Sequence, residues 1–576
     1  MKRYVFICVL TISMITFFAG CEEFLDRPPQ DQLSVEQLSF NAKEMELLTN
    51  RYYSTLPGFQ FGAYHAGIFW DDNASDNMVP TNYNYSPQLS GSIVVPASGG
   101  GWSWSDIRAI NYAISDISNH STDLESVKLA YLGEFRFWRA WFYFDLFTQF
   151  GSLPWYGKPL EMDSEELFAE RLPRNVIADS ILADLDFAVA NLRPITTAGN
   201  VRINRQAALL FKSRVALYEG TWQKYHAGTP FAAPNANPEK YFSACVDAVK
   251  MLIADNTNSI VAGSDVTRDY WNLFNKRDYT NHNEVLLWKP FDKSIGVYHY
   301  GQNYFQNYGG NTGVSKQLVD DFLCDDGLPI GLSERYQGDN TLKQVTTNRD
   351  PRLYQLVFLP GYPRKMVGPD TTVYFTVPDL VNAQSNVSTT GYQLFKGLDP
   401  EEEEGRQAST GSIIFRYAEA LLNYAEAAVE LGEISQGVLD ETVNRLRDRV
   451  GMPHLSMSIG YTDPNWQFPS LSPLLNEVRR ERRIELACEG YRFDDLMRWA
   501  ATDLIKQSLK GAKLAQFESV GAQNVPVDEA GYIFPYKSSP AADGWLFDPS
   551  KHYLKPIPTN EITLNPALGQ NPNYEF

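Results

Sequence analysis

Residues 124–150, LESVKLAYLGEFRFWRAWFYFDLFTQF, constrain the fold more than any other stretch. Apolar and aromatic residues recur there with helical period, which predicts one long helix with a stripe of Phe135, Trp138, Trp141, Phe142 and Leu146. Such a stripe reads as core and not as a ligand platform, so a helical body has to surround it. Gly151 stops the helix and Pro154 follows. Further helices are predicted near 105–118, 175–192, 203–222, 238–254, 413–431, 436–449, 471–489 and 491–506. In FRYAEALLNYAEAAVELG (415–432), Ala418, Leu421, Leu422, Ala425 and Ala428 recur at helical spacing, and the alanines let a neighbouring helix approach closely. Paired helices of this kind are the unit of a tetratricopeptide-like stack, although the 34-residue signature is not strictly repeated.

The remainder differs in character. Residues 71–101 are rich in Asp, Asn, Tyr, Ser and Pro and end in three glycines, which is loop chemistry. From about 255 to 410, turns and short β-like runs such as Glu284–Trp288 dominate, and 507–576 reads as coil wrapping an existing body. The chain opens Met1-Lys2-Arg3, runs without charge from Tyr4 to Gly20 and reaches Cys21 after Phe18-Ala19-Gly20. A basic start, an apolar stretch and small residues before a Cys read as a secretory signal ending in a bacterial lipobox, with Cys21 lipidated. Residues 1–20 are then the signal and 21–34 a tether leading into a helix capped near Ser34. No other stretch has the length to span a bilayer. Net charge is -19, and losing Lys2 and Arg3 with the signal makes it -21. An acidic surface repels phosphates, which argues against nucleic acid. Cys245, Cys324 and Cys488 are far apart and odd in number, so they read as buried free thiols.

Catalytic and cofactor motifs are missing from the sequence. The seven His form no H-E-x-x-H pair or metal cluster, no G-x-S-x-G elbow occurs, and Gly157-Lys158 is followed by Pro159 in place of the Ser/Thr of a phosphate loop. No cofactor is implied. Glu401–Glu404 read as a solvated acidic run. Paired carboxylates for glycoside hydrolysis need not adjoin in sequence, and Asp71 and Asp72 in IFWDDNASDN are the candidates for that chemistry.

The chain does offer aromatics in loops: Tyr83 and Tyr85 in TNYNYS, Trp102 and Trp104 in GGGWSWS, and Tyr298, Tyr300, Tyr304, Phe305 and Tyr308 in GVYHYGQNYFQNYGG. Exposed rings present flat apolar faces on which the C–H face of a sugar can stack, and neighbouring Asn, Gln and Asp can bond its hydroxyls. Tyr83, Tyr85, Trp102, Tyr298, Tyr300, Tyr304 and Tyr308, with Asp71 and Asn73, are therefore candidate glycan contacts. Alternation puts Tyr298 and Tyr300 on one face of an extended strand, with Trp102 as the opposing, partly exposed wall. Trp104, just before a helix, reads as structural.

Several collinear segments resemble the SusD/RagB family of surface lipoproteins from Bacteroidetes nutrient-uptake systems. They are CEEFLDRPP (21–29), EFRFWRAWFYFDLFTQFGSLPWY (134–156), FLCDDG (322–327), NRDPRL (348–353), FRYAEALLNYAEAAVELG, ERRIELACEGYRFDDLMRWA (481–500) and YLKPIPTNEITLNPALGQNPNY (553–574). The resemblance implies a mostly α fold: a tetratricopeptide-like helix-pair scaffold with a loop-rich ligand-binding part. On that view 35–576 is one body, with scaffold mainly in 35–254 and 411–506, ligand-binding loops mainly in 255–410 and coil in 507–576. It implies no catalysis, an oligosaccharide or sometimes peptide ligand, and a TonB-dependent outer-membrane transporter over which the lipoprotein sits. These motifs transfer no binding residues. In ERRIELACEGYRFDDLMRW, Ile484, Leu486, Ala487 and Tyr491 are expected in the core, with Arg482, Arg483, Glu485 and Glu489 paired along the helix. Three functions stay open: a lipid-anchored, cell-surface glycan-binding lipoprotein, a surface glycoside hydrolase using Asp71 or Asp72, and a peptide-capturing lipoprotein of the same build.

Overall fold

The computed structural model describes residues 40–575 apart from 64, 382–385 and 403–404, with the backbone alone for 518–520. The lipobox with Cys21, and the tether, lie outside the described residues. The fold is mostly helical. A short helix α1 (Ala42–Asn50) is followed by α2 (Ser105–His120), α3 (Glu125–Phe150), α4 (Arg174–Asn191), α5 (Arg205–Tyr225) and α6 (Pro238–Ala254). From α2 to α6 each long helix packs on its predecessor, and the stack continues from α6 to a helix at Tyr417–Leu431.

Local chemistry sets these boundaries. The Asn204 side chain accepts from Ala207 N to cap α5, and Asn237 with Pro238 in the first turn starts α6. Helix α3 buries 15 of its 26 residues, so it is the axis of the body and not a surface helix. Phe135, Trp138 and Leu146 are buried as the stripe requires, while Trp141 and Phe142 are half-buried. Each fully buried ring of this kind contributes about 1.5–3 kcal/mol. Arg139 is buried in the same helix and forks onto Asp184 at 2.6 and 2.7 Å.

The predicted helix at 413–431 begins later than its periodicity suggests. Strand β1 (Val285–Lys289) pairs antiparallel with a strand at Ser412–Arg416, with Leu287 opposite Phe415 and Trp288 opposite Ile413. Ile413, Ile414 and Phe415 are buried, and the helix starts only at Tyr417. Among the elements after β1, in chain order, are α7 (Gln302–Asn307), the hairpin β2 (Pro363–Val367) and β3 (Asp370–Tyr374), β4 (Ser412–Arg416), α8 (Tyr417–Leu431), α9 (Gln436–Glu441), α10 (Val443–Arg449), α11 (Pro473–Glu485) and α12 (Arg492–Arg498). The helix expected over 436–449 is two helices that meet at Thr442, which has φ -117° and ψ -92°. Cys245, Cys324 and Cys488 are buried free thiols.

Two large apolar clusters result. One fills the helical stack around α3, α5 and α8. The other lies beneath the loop-rich part, from Phe59 and Phe69 through Phe305 to Phe395. Between them runs α11, on which every residue from Leu475 to Glu485 is buried, charged ones included. The expected pairing along this helix is not what forms. Glu485 takes Arg416 at 2.7 Å, Arg352 at 3.0 Å and Arg449, all from other elements. Arg482 pairs with Asp495 at 2.9 Å, Arg483 with Asp76 at 3.0 Å, and Glu489 with Lys396 and Arg416 at 2.6 Å each. Solvated pairs along a helix would contribute a few tenths of a kcal/mol. Buried ions cost several kcal/mol each to desolvate, so each needs several partners. Burial alone would raise the Glu485 carboxyl, but Arg449, Arg416 and Arg352 overcome it and hold it well below the usual range. Glu402 in the acidic run is likewise buried and bonded to Lys293 at 2.9 Å, in place of the solvated position expected of it.

Candidate functional site

The loop at 298–301 alternates as an extended segment does. Tyr298 and Tyr300 lie on one side, half-buried, with ring centroids 5.9 Å apart and planes 24° apart. His299 turns inward, stacks on Phe59 at 3.9 Å and is fully buried. Its Nε2 bonds the Thr410 carbonyl at 3.0 Å, and Gly301 N donates to its Nδ1 at 3.1 Å. Burial pushes the imidazole down to about 3, so it stays neutral and pins the turn that presents both tyrosines.

A neighbouring segment extends this face. Gly62 N bonds the Tyr298 carbonyl at 2.9 Å and Tyr300 N bonds the Ala63 carbonyl at 3.2 Å. Phe61, 64% exposed, thereby stands 5.7 Å from Tyr298. Farther along, Trp70 packs against Tyr304 at 4.5 Å and against His65 at 5.4 Å. Gly310, with φ +75°, passes so close to the Trp70 indole that a Cβ would lie 2.6 Å from it, so a side chain at that turn would strain the backbone and displace the ring. Tyr85 is 45% exposed, and Asn73 near it is buried and accepts on its Oδ1 from Thr312 Oγ1.

Asp71 reaches solvent at the mouth of a recess of about 140 Å³ lined also by Arg214, Tyr491 and Asp494. Burial, and then the neighbouring charge of Asp72, push the Asp71 carboxyl up to about 7. Asp72 lies below the surface and accepts from Asn77 Nδ2 at 2.9 Å and Cys488 N at 2.8 Å. The two acids therefore do not present a pair of open carboxylates to a glycosidic bond.

The remaining candidates fall elsewhere. Tyr308 is half-buried, and its carbonyl accepts from Gln393 at 2.9 Å. Tyr83 is half-buried against Tyr536, with its carbonyl bonded by Trp545. Trp102 is not an opposing wall. It is 7% exposed and meets Trp104 and Phe150 edge to face at 5.3 and 5.0 Å, in the helical core. Trp104, expected to be structural, is the more open of the two. The sequence reading missed Phe61, His65 and Trp70. The glycines flanking Phe61 at Gly58 and Gly62 are the signal that marks it as a loop-borne ring.

Residues 258–574, more than half of the chain, match the model of the SusD family. The chain belongs to the SusD family. Residues 23–217 match a second SusD-like model, described as starch-binding and associating with the outer membrane. A SusD-like protein of Formosa agariphila is 22% identical over 545 residues, covering 86% of this chain and 92% of its own. A second from the same organism is 22% identical over 592 residues and covers 97% of each chain. Among solved structures, a SusD-like carbohydrate-binding protein from Bacteroides fragilis superposes with TM-score 0.70 at 23% identity, over 92% of this chain and 99% of that one. A surface glycan-binding protein A from Bacteroides fluxus gives 0.56 at 20% identity, over 93% and 100%. These likenesses show a SusD fold across the described body. Among the described residues no helix is long and apolar enough to cross a membrane.

Proposed function

We propose that this SusD family member is a cell-surface glycan-binding lipoprotein. It captures oligosaccharides on the aromatic loop face and delivers them to a TonB-dependent outer-membrane transporter. The observation that carries the reading is the near-parallel Tyr298–Tyr300 pair beside exposed Phe61. Two near-parallel rings, each partly open, suit stacking against a neutral sugar chain, and no charge is required of it. The family model described as starch-binding and the solved relative titled a carbohydrate-binding protein support a sugar as ligand. Attachment to the outer membrane would run through lipidated Cys21, since acyl chains contribute about 0.8 kcal/mol per buried CH₂.

The test is isothermal titration across a panel of neutral polysaccharides, followed by the Tyr298→Ala/Tyr300→Ala variant. Truncating central aromatic anchors typically costs about 2 kcal/mol, more than tenfold in affinity. Retained affinity in the double variant would move the ligand elsewhere. Release of free sugar on incubation would instead favour a hydrolase.

A further inference from the structure

A second concavity, of about 660 Å³, opens between the start of α2, the 154–168 segment and the C-terminal chain at 561–568. That volume lies within the roughly 300–1,000 Å³ spanned by occupied pockets. Its floor is aromatic: Trp102 and Trp104 cross edge to face, and Tyr156 lies 5.1 Å from Trp104. At its margin stand Met162, Phe168 and Leu564, which are 91%, 58% and 74% exposed. Large apolar side chains this open around one apolar hollow mark a surface that something else covers.

The polar groups decide what covers it. Asn111 donates its amide to the Tyr156 carbonyl at 2.8 Å and accepts from Arg139 on its Oδ1. Asn565 donates to the Leu167 and Ala169 carbonyls and accepts from Ala567 N. Both carboxamides in the lining are therefore spent. Lys158 is taken by Glu166 at 2.5 Å, and Arg108 lies over the Tyr112 ring at 5.7 Å. Arg108 keeps its positive charge there, and carboxylates outnumber it. Glu161 and Glu561 line the hollow, and Asp163, Glu165 and Glu170 follow on the same segment as Glu161. None of these five pairs with a lysine or arginine among the described residues. An apolar hollow with an excess of carboxylates at and beside its margin complements an apolar group set between positive charges, and it disfavours anionic headgroups.

We propose that this cleft docks a segment of a partner polypeptide in which an apolar side chain is flanked by lysines or arginines. The apolar side chain seats on Trp102 and Trp104 beneath Phe168, and the flanking cations meet Glu161 and Glu561. The site is separate from the loop face and does not depend on the glycan reading.

The test uses the purified full chain and a fluorescein-labelled synthetic peptide with a leucine–tryptophan–leucine core flanked by lysines, read by fluorescence anisotropy. The peptide is expected to bind, its counterpart with glutamates in place of lysines to fail, and Glu161→Gln/Glu561→Gln to weaken binding and flatten its salt dependence. Phe168→Asp discriminates best. It adds negative charge, so attraction to the acidic surface at large would tighten binding, whereas loss of the anchor weakens it by about tenfold or more. Phe168 and the two glutamates are not core residues, so thermal melts should match wild type, and glycan affinity at the Tyr298 face should be unchanged. Three results would each overturn the proposal: no binding to the unsubstituted chain, equal or tighter binding to Phe168→Asp, or displacement of the peptide by the glycan that the loop face takes.

Discussion

The buried charges around α11 and the aromatic loop face adjoin each other, yet they use side chains in opposite ways. Around α11 each acid is enclosed by partners: Glu485 by three arginines, Glu481 by Arg352 at 2.6 Å and Arg447 at 2.8 Å. On the loop face the rings are packed on one side and open on the other. The two meet at the 71–77 segment. Asp76 is clamped by Arg483 and Arg492, Asp72 by Cys488 N, while Trp70 and Asp71 next to them reach the surface. A buried ionic anchor lets half-open rings keep their positions without collapsing on one another, so on the proposed reading stability resides in the junction and recognition in the face.

The strongest way to break this division is Glu485→Gln, which leaves Arg352, Arg416 and Arg449 buried without their shared carboxylate. Removing one partner from a buried ion group costs about 3–5 kcal/mol. Denaturant unfolding should show that loss, while glycan affinity of the folded protein stays as it was. Acid tests the same network. Burial raises the Glu426 carboxyl, but Arg498 and other arginines overcome it and hold it at about 2 in the fold. A carboxyl depressed in the folded state contributes stability that is present above its unfolded value of about 4.5 and is lost as pH falls towards 2. Unfolding midpoints should therefore drop steeply in that window.

Asp76→Ala comes next and joins the two regions. It should cost about 3 kcal/mol by stranding Arg483 and Arg492, and it should also weaken glycan binding because the 71–77 segment loses its clamp. An unchanged affinity would mean that the face holds its shape without the junction. Phe61→Ala is smaller: about 1 kcal/mol of binding, roughly fivefold, with no change in the thermal midpoint because the ring is exposed. Smallest is Asp71→Asn. An acid whose folded pKa is raised favours the fold below its unfolded value of 3.8, and that contribution is lost as pH rises through about 7. The amide cannot ionise, so between pH 4 and 7 the variant's stability should fall less than that of the parent protein.

Much of the body was legible because its instructions are local. Asn237 and Pro238 write the start of α6, and the stripe of α3 writes its burial. Strand β4 was read as helix because a short apolar run carries no period of its own and Tyr417–Leu431 follows without a break. Arg482, Arg483 and Glu485 sit at spacings that suit pairing along one helix, and their actual partners come from Asp76, Arg352, Arg416, Arg449 and Asp495, which spacing cannot reveal. The alternation of Tyr298, His299 and Tyr300 was visible in the sequence. The burial of Trp102 was not, because GGGWSWS has the composition of an open loop and only Trp104 and Phe150 packing on the ring make it closed. Trp70 was passed over because it adjoins Ile68 and Phe69, which are core.

The clamp on the 71–77 segment also sets an order of events in time. Asp76 waits for Arg483 and Arg492, and Asp72 waits for Cys488, partners that leave the ribosome more than 400 residues later. At roughly 5–20 residues per second, that is tens of seconds of synthesis. The contacts that the helices from α2 to α6 make with one another can form long before then. The clamp on the 71–77 segment thus closes late, and a chain that stops short of α12 lacks Arg492 and leaves Asp76 only partly tied.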